Sequence, residues 1–124
     1  MTSVLNVDTI ADKAGTGPVG LTKQSAPKGF VQFNATGTLA VNNSFNISSV
    51  TDSATGKHVN NFTNAFSDAN FVSSAQQSDA GSNSNAQYMI AHDNTSSSVT
   101  FWNVYSGAYQ DDGAVQGIFV GDLA

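Results

Sequence analysis

The sequence contains no cysteine, no arginine and no glutamate. Without cysteine there is no disulfide framework and no thiolate chemistry. The small secreted domains that depend on disulfides are thereby set aside. Without arginine, the cations are Lys13, Lys23, Lys28 and Lys57, against nine aspartates and a formal net charge of -5. Neutralising phosphates takes clustered Lys and Arg, so nucleic acid is not an expected partner. Strong helix formers are scarce as well, with leucine only at Leu5, Leu21, Leu39 and Leu123. That scarcity disfavours helices before any periodicity is considered. No window approaches the roughly 20 apolar residues of a membrane-spanning helix. Met1–Ile10 has neither the basic start nor the apolar run of a signal peptide. Synthesis in the cytoplasm without membrane insertion is the expectation.

What is present is Ser, Thr, Asn and Gly, with eight Phe, three Tyr and one Trp to supply core bulk. Short polar residues favour turns and exposed strand faces. The length of 124 residues suits one domain. Residues 1–27 read as an extended N-terminal arm. Its apolar Val4, Leu5, Val7, Ile10, Val19 and Leu21 are too few to fold alone, and Gly15, Gly17, Pro18 and Gly20 break any helix. Strand exchange between subunits, or docking on a larger particle, would pair the arm's backbone.

Residues 28–124 alternate short β-like runs with turn clusters. Expected strands are Phe30–Phe33, Leu39–Val41, Phe45–Val50, His58–Thr63, Phe71–Ala75, Gln87–Ala91, Val99–Tyr105 and Val115–Val120. Phe45–Phe62 reads as a hairpin turning at Ser53–Gly56. Further turns are expected at Ser67–Asn70 and Asp93–Ser96, and loops at Gln76–Asn85 and Ser106–Gly113. Short strands of this kind with regular turns predict an all-β, antiparallel, jelly-roll-like β-sandwich. Gly117, inside an apolar strand, marks a bulge or a close backbone approach.

The segment Leu5–Gly17 resembles one that recurs in tail-fibre and other virion proteins of marine and cyanobacterial tailed phages. The stretches Phe30–Thr38, Asn43–Asp52, Gly56 and Val59–Thr63, with Asp68–Phe71, are similar to the terminal β-domain of the same fibre-like proteins. The resemblance implies a non-enzymatic, fibre- or spike-like virion module, usually a homotrimer. It implies no catalytic residues. Other virion proteins and a host-surface glycan are the expected partners besides the chain itself. A capsid-decorating protein and a free carbohydrate-binding module are the alternatives.

Few residues offer chemistry. Trp102, Tyr105 and Tyr109 are the candidate glycan-binding residues, because aromatic rings stack on the apolar faces of sugars. Alternation puts Phe101, Asn103 and Tyr105 on one face and Trp102 and Val104 on the other, and both faces carry core-sized bulk. His58 and His92, 34 positions apart, read as surface histidines and not as a metal pair. Asp111-Asp112-Gly113, weighed with Asp93 and Asp122 as a calcium site, reads as a solvated turn. Gly15-Thr16-Gly17 lacks the Lys and helix of a phosphate loop. No metal ligand, cofactor or catalytic residue is assigned.

Overall fold

The computed structural model describes residues 27–77 and 87–124. The arm residues Val4, Leu5, Val7, Ile10, Val19 and Leu21, and most of the Gln76–Asn85 loop, lie outside the described residues.

Among the described residues the chain is all β. Its strands are β1 (Gly29–Asn34), β2 (Ala40–Phe45), β3 (Ile47–Ala54), β4 (Lys57–Phe62), β5 (Val72–Gln77), β6 (Gln87–Thr95), β7 (Ser98–Tyr105), β8 (Ala108–Tyr109) and β9 (Val115–Val120). They form two packed antiparallel sheets, as the sequence predicts. One has the order β2-β1-β9-β5; the other has the order β3-β4-β7-β6, with β8 also paired to β7.

The turns follow from local chemistry. Thr55 and Gly56 join β3 to β4, with Gly56 at φ 67°. A β-carbon on Gly56 would lie 2.6 Å from the Gln110 amide nitrogen and 2.8 Å from the Asn103 carbonyl oxygen, so only glycine fits. Ser106 and Gly107 both have positive φ. That is the mirror-image two-residue turn whose twist matches the flanking strands, and it adds β8 inside a stretch expected to be loop. Asn46, at φ 59°, separates β2 from β3 where one continuous run, Phe45–Val50, was expected. Its Oδ1 accepts the Asn64 amide at 2.7 Å and its Nδ2 donates to the Asn64 carbonyl at 3.1 Å. The expected turn at Asp93–Ser96 is displaced. β6 continues to Thr95 through a register shift after His92, and Thr95 Oγ1 accepts the Ser98 amide at 2.9 Å to close the turn.

The core lies between the sheets. Val31, Phe33, Val115 and Phe119 point inward from one sheet, and Phe62, Val99 and Phe101 from the other. Phe66 and Phe71, on the chain between β4 and β5, cap one end. Phe62 is the hub of the rings, with centroids 4.9 Å from Phe66, 5.4 Å from Phe71 and 5.1 Å from Phe119. Phe101 and not Trp102 is the inward aromatic of β7. Its ring occupies the space a side chain at position 117 would fill: a β-carbon there would lie 2.4 Å from Phe101 Cζ. β9 keeps its register on both sides of Gly117, so this glycine serves a close approach and not a bulge.

Candidate functional site

Three places in the sandwich carry chemistry. The first is the outer face of the β7 sheet. Trp102 sits directly across from Lys57 of β4 and Ile90 of β6, and Val104 lies between Tyr88 and Tyr109. Directly opposed residues share a face, so these side chains form one patch. Lys57 Nζ lies 4.6 Å from the Trp102 ring centroid and 4.4 Å from that of Tyr109. The two rings meet edge to face at 5.6 Å. His92 stacks on Trp102 at 3.8 Å with planes 16° apart. β4 and β6 flank β7 on opposite sides, so Lys57 and His92 approach the indole from the two neighbouring strands. The structure thus brings Trp102 and Tyr109 together and places Tyr105 on the opposite face of the strand. Trp102 holds Tyr109 and Lys57 in place, and the rings most open to solvent are Tyr88 and Tyr109, 50% and 43% exposed.

The second place is a groove of about 430 Å³ across the outer face of the β1 sheet. It follows from pairing. Asn43 of β2 faces Gln32 of β1, Gln32 faces Gln116 of β9, and Gln116 faces Gln76 of β5. Four carboxamides therefore cross the sheet in one row. The row beside it reads Phe45, Phe30, Ile118 and Ser74 in the same strand order. Each carboxamide carries two donors and an acceptor in one plane, which matches a pair of adjacent sugar hydroxyls. Phe30 and Phe45, with centroids 6.1 Å apart, add an apolar shelf. The volume lies in the range of small-molecule sites. Sequence reading missed this groove because its residues come from four strands and none stands out alone.

The third place is the turn end of the β3–β4 hairpin. His58 is not a surface histidine: β4 alternates Lys57, Val59 and Asn61 outward with His58, Asn60 and Phe62 inward, and His58 is 0% exposed. Its ring packs against Phe33 at 5.2 Å. Asp52 lies directly across on β3, and Asp111 reaches in from the chain before β9. His58 Nε2 is 3.5 Å from Asp111 Oδ1, which also accepts the Gly56 amide at 2.6 Å. Neither ring nitrogen of His58 makes a hydrogen bond. Asp112, expected in a solvated turn, is buried; its carbonyl accepts the Ala35 amide at 2.9 Å and ties the segment to β1. Asp93 lies instead beside His92, and the carbonyl of Asp122 accepts the Ser67 amide, so neither Asp joins Asp111 in a ligand set.

Desolvation pulls the His58 pKa below its ordinary 6.5, against the opposing pull of Asp111 and Asp52. The unfolded chain therefore binds more protons at this position than the folded one just below pH 6.5. The stability this neutral histidine allows is fully present above the unfolded pKa. It is lost as pH falls from there through the folded pKa. We expect the melting temperature to drop between pH 7 and pH 5. His58→Asn, judged by thermal melts across that range, should flatten the drop; an unchanged pH profile in the variant would contradict the assignment.

Comparison with protein-family models, curated proteins and solved structures returned no match.

Proposed function

We propose that this chain is a non-enzymatic structural module of a tailed-phage virion, fibre- or spike-like, that binds host-surface glycan as a homo-oligomer. The observation that carries the glycan reading is the row Asn43, Gln32, Gln116 and Gln76 beside Phe30 and Phe45. Planar amides next to an apolar shelf match a sugar, which has hydroxyls at its rim and C–H bonds on its faces. The row sits on paired strands, so ordering it on binding costs little.

Two further points favour an oligomer. Every residue of β2 is exposed, Val41 included, and β2 is the edge of its sheet, so its free backbone edge is open to pairing with a second copy. A single groove of this kind binds a sugar weakly, and linking several copies raises the overall strength by about 10²–10⁴. The resemblance to fibre-terminal domains supplies the virion context.

The test is binding of the purified chain to an array of bacterial surface polysaccharides. Gln32→Ala and Gln116→Ala should each weaken binding about fivefold, one hydrogen-bonded amide being worth about 1 kcal/mol. Binding to no glycan, or binding unaffected by both changes, would overturn the glycan reading. Antibody labelling of phage particles should mark the fibre or spike; label confined to the capsid would replace this reading with head decoration.

A further inference from the structure

The turn end of the β3–β4 hairpin holds an imidazole and two carboxylates whose ligand atoms all lie within 4.8 Å of one another. We propose that Asp52, His58 and Asp111 bind a divalent transition-metal ion, zinc being the best match. This site is independent of the glycan groove, which lies on the other sheet.

The argument rests on three observations. First, His58 is wholly buried, yet neither of its ring nitrogens has a hydrogen-bond partner. A buried polar group left so is costly, and a metal ion on Nε2 would remove part of that cost. Second, the spacing suits a small ion. Ligands at 2.0–2.2 Å around a tetrahedral centre stand roughly 3.4 Å apart, and His58 Nε2 lies 3.5 Å from Asp111 Oδ1. Asp52 is exposed, so its carboxylate is free to swing the remaining distance. Third, Asp111 is already oriented, because its Oδ1 accepts the Gly56 amide. Held ligands of this kind bind more tightly than loose ones.

The donor set selects the metal. Calcium takes six to eight oxygens and magnesium keeps most of its waters. One imidazole with two carboxylates suits zinc and its neighbours, with the remaining coordination positions left to solvent. The side chain of Asp111 is partly exposed, which gives the ion a way in. A neutral His58 is the form that ligates. Bound there, the ion would tie the β3–β4 hairpin to the chain between β8 and β9, next to Tyr109.

The experiment uses the full chain, stripped with EDTA and titrated with zinc chloride by calorimetry. One ion should bind per chain and raise the melting temperature, and magnesium chloride should do neither. Asp52→Asn, at an exposed position that keeps the fold, should weaken zinc binding about tenfold or more, as should Asp111→Asn. His92→Gln should leave it unchanged, which separates the site from the exposed His92–Asp93 pair. In the unaltered chain, zinc should shift the imidazole nitrogen resonances of His58. No binding, binding indifferent to Asp52→Asn and Asp111→Asn, or shifts confined to His92 would overturn the proposal.

Discussion

Replacing Phe62 by alanine is expected to destabilise the protein by about 4 kcal/mol, the usual cost of truncating a buried phenylalanine. Phe62 touches Phe66, Phe71 and Phe119 within 5.4 Å, and the last of these belongs to the opposite sheet. Its removal therefore opens a void that no single neighbour can fill and loosens the contact between the layers. Domains of this size are stable by roughly 5–15 kcal/mol, so the loss is a large fraction of the total. Chemical denaturation measures it directly. Phe62→Leu, which keeps most of the volume, should cost less than half as much. A loss under about 1 kcal/mol for the alanine variant would mean that the ring cluster is not the centre of the core.

Placing valine at Gly117 is the second large change, and it fails for the opposite reason. The new β-carbon would lie 2.4 Å from Phe101 Cζ and 2.5 Å from Cε2. Phe101 is fully buried and stacked on Phe119 at 5.7 Å, so its ring has nowhere to retreat. Overpacking of this kind costs about 3 kcal/mol. The clash names its own partner: Phe101→Leu should recover part of the loss in the Gly117→Val background, although it is destabilising alone. A double-mutant cycle of denaturation midpoints measures that coupling. Strict additivity of the two changes would contradict the close approach.

Much of the sandwich was legible in the sequence. Scarce helix formers, short apolar runs and dense turn residues pointed to two antiparallel layers. Gly117 stood out because a glycine inside an apolar strand needs a reason. The failures have equally local causes. Phe45–Val50 looked continuous because the apolar pattern runs through Asn46, and only a positive φ with three side-chain bonds to Asn64 turns the chain there. His58 looked exposed because it opens a strand, and an isolated histidine with no ligand motif beside it is usually at the surface. The register, however, is set by Phe62 and Phe101, and a slip of one residue exchanges the faces of the whole strand. On β7, alternation separated Trp102 from Tyr105, but only the β7–β8 turn folds Tyr109 back onto the Trp102 face.

The candidate sites were less legible still, because each is a product of pairing between distant strands. Asp52, His58 and Asp111 carry no recognisable spacing, and two strands and a connecting segment bring them together. The amide row is likewise one residue from each of four strands. Sequence windows register neighbours along the chain, whereas a sheet creates neighbours across it.

An electron-microscopy map of the assembled phage particle tests the proposed role most directly. The expected result is symmetry-related copies of this two-layer sandwich at a fibre or spike, with the exposed β2 edge against a neighbouring copy and the Gln32–Gln116 groove open to the outside. A complete particle with no density for the sandwich, or copies whose groove is sealed under another subunit, would contradict it.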